Sequence, residues 1–76
     1  MKNIAGITKE QLENAIDSCV VLQGHAERNR NILKRRLIDG ITYEQLAEEF
    51  DLSVQAIQKI IYRNEQKIFT FINKNS

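Results

Sequence analysis

The chain has 76 residues, with eleven basic and ten acidic side chains, a formal net charge of +1, no proline and three glycines. That length allows one small domain around one core, and a 42% hydrophobic, 28% charged composition belongs to a folded chain rather than a disordered one. A single cysteine and a single histidine exclude an internal disulfide and a structural zinc site, and no apolar run reaches the roughly 18 to 20 residues of a membrane span.

The first residues, Met1 to Gly6, lack the apolar stretch of a signal peptide, so a cytoplasmic location with no membrane association is expected. Residues 1–7 are expected to be a flexible N-terminus of a single domain spanning 1–76. Without proline, helix boundaries must come from caps. Thr8 stands three residues before Gln11, and Thr42 three before Gln45, which is the spacing of a capping box; Ser53 offers a further start without a glutamine partner. Gly24 and Gly40 are placed to end helices in a left-handed conformation.

Four helices follow. The first is expected over 9–23, with Leu12, Ala15, Ile16, Cys19 and Val20 on one stripe. The second, over 26–39, turns Ile32, Leu33 and Leu37 inward. The third, over 43–50, does so with Leu46, Ala47 and Phe50. The fourth begins after Ser53 and carries Val54, Ile57, Ile60, Ile61, Ile68 and Ile72. No segment alternates as a strand does, so the fold class is all-α. His25, after Gly24, reads as a C-terminal cap or a solvated residue, and Cys19 as core.

The small net charge is a cancellation between segments. Arg28, Arg30, Lys34, Arg35 and Arg36 form a basic run; Asp39, Glu44, Glu48, Glu49 and Asp51 form an acidic one; and Lys59, Arg63, Lys67 and Lys74 follow against Glu65 alone. Lys59, Arg63 and Lys67 recur every fourth residue, along one helix face that suits a phosphate backbone, or else a solvated charged face.

Residues 42–63 pair an eight-residue helix with a second helix after a turn of about three residues, a pattern that resembles a DNA-binding helix-turn-helix. Ala47 is small enough for a close helix crossing, and the outward side of the second helix holds Ser53, Val54, Gln55, Gln58, Lys59 and Tyr62. Gln pairs with adenine, Lys donates to guanine, and Val meets a thymine methyl. The longer stretch from Glu27-Arg28 through Ile32-Leu33-Lys34-Arg35-Arg36, Asp39-Gly40-Ile41-Thr42-Tyr43-Glu44-Gln45-Leu46-Ala47 and Leu52-Ser53-Val54 to Ile57 resembles region 4 of sigma-70-type factors.

In that family this four-helix unit reads an upstream promoter element and contacts the polymerase flap. The resemblance extends from Glu27 to Phe71 and implies that Ser53, Val54, Gln55, Gln58, Lys59 and Tyr62 face bases. It implies that Arg35, Arg36, Thr42, Tyr43 and Arg63 lie near phosphates. Three departures stand out. Asp51 replaces the usual turn glycine, there is no room for the promoter-melting region 2 of a complete sigma factor, and the fourth helix runs on to Ile72.

That extension has two readings. Asn64, Ile68, Phe69, Phe71 and Ile72 form either a dimer or partner surface with Asn64 setting the register, or the closing wall of a monomer core against the first helix. No nucleophile–base set, paired catalytic carboxylates or phosphate-cradling loop is present, so no enzyme activity, cofactor or metal is expected. The expectation is a small sequence-specific regulator of bacterial or phage type that binds double-stranded DNA. The alternatives are a protein-interaction module docking on RNA polymerase or another regulator, and an antitoxin or plasmid-maintenance repressor.

Overall fold

The computed structural model describes residues 6–74 as four helices: α1 (Lys9–Cys19), α2 (Ala26–Leu37), α3 (Tyr43–Phe50) and α4 (Val54–Lys74). Among the described residues there is no strand, and the fold class is all-α as expected. The expected flexible segment 1–7 falls mostly on residues 1–5, outside the described residues; Ile7 is half-buried and packs against the core.

Local chemistry accounts for the helix ends. The Thr8 hydroxyl accepts from the Gln11 N–H at 3.1 Å and the Gln11 side chain accepts from the Thr8 N–H at 2.9 Å, a complete capping box. At α3 only half of the box forms. Thr42 Oγ1 accepts from the Gln45 N–H at 3.2 Å, but the Gln45 carbonyl oxygen faces the Thr42 hydroxyl at 3.4 Å instead of the backbone N–H. Ser53 Oγ caps α4 by accepting from the Ala56 N–H at 3.1 Å.

The end of α1 differs from the expected helix over 9–23, because the helix stops at Cys19. Tertiary partners draw the following residues out of it. The Val20 carbonyl accepts from the Arg30 guanidinium at 2.9 Å, and the Gln23 side chain bonds to both Asn29 and Asn64. The left-handed residue before α2 is His25, with φ 59°, and not Gly24; its imidazole makes no cap hydrogen bond and it is exposed. Gly40 does take the left-handed conformation, with φ 70°, and the N–H groups of Gly40 and Ile41 return to the carbonyls of Arg36 and Arg35.

The turn between α3 and α4 holds Asp51 at φ 56°, where the Leu52 N–H reaches the Ala47 carbonyl at 2.8 Å and the Asp51 N–H reaches that of Glu48 at 3.4 Å. This is a Schellman ending with aspartate in the place glycine usually takes.

Helix α4 is the spine. Its Ile57, Ile60, Ile61, Ile68 and Ile72 join Ala15 and Ile16 of α1, the following Val20, Ile32 and Leu33 of α2, and Leu46 and Ala47 of α3 in one core. Each fully buried isoleucine or leucine contributes about 1.5 to 3 kcal/mol relative to an exposed one. Leu12, Cys19, Leu37, Phe50 and Val54, expected inside, lie half-buried at its margin.

The C-terminal half of α4 completes this core against α1. Asn64, Ile68 and Ile72 are buried within the chain and offer no exposed seam, whereas Phe69 and Phe71 pack half-buried against the same cluster and Phe71 also lines an open groove. Asn64 is accommodated because every polar atom has a partner. Its Nδ2 donates to the Ile60 carbonyl at 2.8 Å, and its Oδ1 accepts from Gln23 Nε2 at 3.2 Å. Gln23 Oε1 in turn accepts from Asn29 Nδ2 at 2.8 Å, and Asn29 Oδ1 accepts from the Arg28 guanidinium. The chain of bonds ties α4, the α1–α2 connection and α2 into one body.

Candidate nucleic-acid interface

The Asp51–Ser53 turn brings the first two turns of α4 to the surface beside the start of α3. Ser53, Gln55 and Lys59 are exposed, and Val54 and Gln58 half-buried. Ser53, Gln55, Ala56, Gln58, Lys59 and Tyr62 line one open depression of about 440 Å³. The six residues expected to face bases are therefore brought together, except that Val54 sits outside the depression and packs against the core. Among the described residues, the Gln55 and Gln58 amides and the Lys59 ammonium have no intramolecular hydrogen-bond partner, and no carboxylate lines the depression.

One edge of it is an aromatic cluster. Arg36 lies over the Tyr43 ring, 4.3 Å from guanidinium carbon to centroid, while its Nη1 donates to the Ile41 carbonyl at 3.1 Å. The Tyr43 phenol interacts with that of Tyr62 and, more than the nearby Glu65 charge, raises the Tyr62 pKa above its ordinary 10.0. Tyr43, expected near phosphate, thus also neighbours Tyr62, a pairing between α3 and α4 that no sequence spacing announces.

The expected phosphate contacts do not form one continuous positive face. Arg35 Nε donates to Glu49 Oε1 at 3.0 Å, Arg35 Nη2 pairs with Glu49 Oε2, and Nη1 lies 3.7 Å from Asp39. The Glu49 hydrogen bond raises the Arg35 pKa, so the guanidinium stays charged, yet its field is largely balanced by two carboxylates.

The rest of the basic run of α2 also has intramolecular partners, of which only that of Lys34 is a carboxylate. Arg28 binds Asn29, Arg30 the Val20 carbonyl, Lys34 Asp17 at 2.9 Å, and Arg36 the Ile41 carbonyl. Helix α2 therefore keeps the charge of Arg28, Arg30 and Arg36 but holds those side chains in place by internal contacts, while Lys34 and Arg35 are balanced by carboxylates. Thr42 is exposed at the α3 N-terminus, where its hydroxyl is used as the cap.

Arg63 turns away from the other four. It lines a second open groove, of about 530 Å³, with Cys19, Gln66, Lys67, Thr70, Phe71 and Lys74, between the end of α1 and the C-terminal half of α4. Sequence reasoning placed Lys67 with Lys59 and Arg63 on one helix face suited to phosphate, Lys74 only in a basic run and Cys19 only in the core; the structure sets Lys59 in the first depression and Arg63 and Lys67 in this groove. The available signal was the helical spacing of Arg63, Lys67, Phe71 and Lys74. Cys19 Sγ approaches the Lys67 carbonyl at 3.7 Å, and burial raises its thiol pKa above 9.0, with Lys67 opposing.

Among the described residues, no group of histidine, cysteine and carboxylate side chains is arranged to hold a metal ion, and no helix is long and apolar enough to cross a membrane. No protein-family model matches the chain, and no curated protein or solved structure matches it.

Proposed function

We propose that this protein is a small cytoplasmic regulator that binds double-stranded DNA in a sequence-dependent manner, with the N-terminal half of α4 in the major groove. The observation that supports this reading is the open depression of Ser53, Gln55, Gln58, Lys59 and Tyr62. Among the described residues, its Gln55 and Gln58 amides and Lys59 ammonium are unpaired within the chain and lie at the start of a helix held rigidly by the core. Lys59 supplies the nearest free cation, while Thr42, Tyr43 and Arg36 flank the backbone at the α3 end. Because Asn64, Ile68 and Ile72 are buried within the chain, one protomer reads one short element, and a palindromic site is not expected from a C-terminal-helix dimer.

Selection of bound sequences from random duplexes tests this. Enrichment of a short motif is expected, and Gln55→Ala or Gln58→Ala should each weaken binding to it by about 1 to 3 kcal/mol while relaxing preference at one position. Unchanged binding by both variants, or no enrichment, would refute the placement. A protein-interaction role on the same scaffold is favoured by one observation: Glu49 and Asp39 interrupt the positive surface at Arg35, next to the exposed Glu44 and Glu48 of α3.

A further inference from the structure

We infer that the groove between the end of α1 and the C-terminal half of α4 docks an acidic, amphipathic segment of a partner protein, independently of any DNA bound at the other end of α4. Arg63, Lys67 and Lys74 rim the groove and Phe71 and Cys19 form its apolar floor. All three cations are exposed and, among the described residues, none has a carboxylate or hydrogen-bond partner, whereas in α2 Lys34 and Arg35 pair with carboxylates and Arg28, Arg30 and Arg36 are held by neutral amide or carbonyl oxygens. No carboxylate lines the groove. Three cations with no carboxylate among them thus stand around a groove that also offers apolar surface.

Those two properties together select the occupant. A phosphate backbone needs the cations and gains nothing from the apolar floor. A helix with carboxylates flanking apolar side chains uses both. Arg63 and Lys67 stand one turn apart, about 6 Å along the axis, and meet carboxylates spaced i, i+4 on the partner, with Lys74 two turns further on. A volume of about 530 Å³ accepts one or two large apolar side chains. Val21 and Leu22, two and three residues after Cys19, are 47% and 97% exposed and are the chain's exposed aliphatic side chains among the described residues. The chain's own residues 1–5 carry a lysine and no carboxylate and do not complement the rim.

The test uses the full chain, isotope-labelled, and a synthetic helical peptide of about 16 residues with leucines on one face and glutamates flanking them. Saturable binding is expected, with amide shifts concentrated on Cys19–Leu22 and Arg63–Lys74. Replacing the peptide's glutamates by lysine, or its leucines by serine, should each abolish binding. The exposed-site variant Lys67→Glu should weaken it about tenfold while leaving the rest of the amide spectrum in place.

Equal binding of the leucine-to-serine peptide would overturn the proposal by showing a charge effect alone, as would shifts centred elsewhere. If duplex DNA moves the Arg63–Lys74 amides as strongly as those of Ser53–Tyr62, the groove belongs to a nucleic-acid surface instead. If Lys67→Glu abolishes a concentration-dependent self-association of the free protein, the occupant is a second copy. The Gln55 and Gln58 variants leave this groove untouched, so failure here and failure of the DNA reading are distinguishable.

Discussion

Asn64 is the residue for which the sequence left two opposite roles, and a thermodynamic cycle with Gln23 distinguishes them. Asn64 is fully buried, donates to the Ile60 carbonyl at 2.8 Å and accepts from Gln23 Nε2 at 3.2 Å. Truncation to alanine removes two hydrogen bonds, each worth about 1 kcal/mol net, and leaves a small cavity beneath the α1–α2 connection. The half-buried Gln23 regains some hydration, so the total falls at about 2 to 3 kcal/mol rather than higher. For a domain of this size, each kcal/mol moves Tm by roughly 4 to 8 °C, so a drop of at least about 10 °C is expected for Asn64→Ala. Gln23→Ala should cost about 2 kcal/mol, because it strands the buried Asn64 oxygen and breaks the bond from Asn29. The double variant should then be less destabilised than the sum by about 1 kcal/mol, since the second truncation removes a partner already orphaned. Denaturant melts monitored by circular dichroism give all four corners of the cycle. Additivity to within about 0.5 kcal/mol would refute the intramolecular network. A wild-type Tm that rises with protein concentration, and loses that dependence in Asn64→Ala, would return Asn64 to a role between chains.

Three further perturbations follow from the geometry. Glu49→Gln frees Arg35 from its strongest partner; affinity for all duplexes should rise slightly and the salt slope steepen by up to about 1, with stability little changed because exposed pairs contribute about 0 to 1 kcal/mol. A salt titration of binding to random duplex reads this, and an unchanged slope would keep Arg35 away from phosphate. Tyr43→Phe removes the hydroxyl that raises the Tyr62 phenol, so Tyr62 should ionise closer to its ordinary 10.0, as followed by phenolate absorbance. A raised folded-state pKa means that this contact's stabilisation is complete below the unfolded value and fades as pH climbs through the folded one, so wild-type and variant should converge in strong alkali. Asp51 sits at φ 56°, which favours glycine; Asp51→Gly should stabilise by about 0.5 kcal/mol and Asp51→Val destabilise by 1 kcal/mol or more in the same melts, for about the same reason in each case.

The parts of the fold legible in sequence are those governed by neighbours within one helical turn. Thr8, Thr42 and Ser53 begin helices because a hydroxyl reaches an N–H three residues ahead, an interaction that spacing alone specifies. The isoleucines of α4 face the core because 3.6-residue periodicity leaves them no other common side. What escaped depended on contacts distant in the chain. Helix α1 stops at Cys19 because Arg30, ten residues beyond Val20, takes the Val20 carbonyl, and Gln23 is pulled toward Asn64, forty-one residues away. The same limit governs the candidate site. Gln55, Gln58, Lys59 and Tyr62 share a surface by helical spacing, whereas the pairing of Arg35 with Glu49 joins two segments that composition had sorted into separate basic and acidic blocks.

That pairing alters how the molecule's field is to be pictured. Segment by segment, two basic helices flank an acidic one, which describes a positive surface with α2 and α4 as joint contributors. In three dimensions α2 lies between partners: Lys34 reaches Asp17 of α1, and Arg35 reaches Glu49 of α3 and Asp39 beyond its own end. Ion pairs of this kind do little for stability, but they cancel opposite charges within a few ångströms, well inside a Debye length of about 8 Å, so the contribution of Lys34 and Arg35 is reduced, while Arg28, Arg30 and Arg36, held by neutral oxygens, keep theirs. The outer side of α1 adds an open depression bearing Glu10, Glu13 and Asp17. Cations without a carboxylate partner therefore stand along α4, at Lys59, Arg63, Lys67 and Lys74, and at Arg28, Arg30 and Arg36 of α2, while carboxylates gather on α1 and α3. On the proposed reading, an acidic partner would be attracted to the α4 cations and repelled by the carboxylates of α1 and α3, so orientation would be biased before any specific hydrogen bond forms. A net charge near zero is compatible with such recognition, because a sum over the chain does not describe how charge is distributed over its faces.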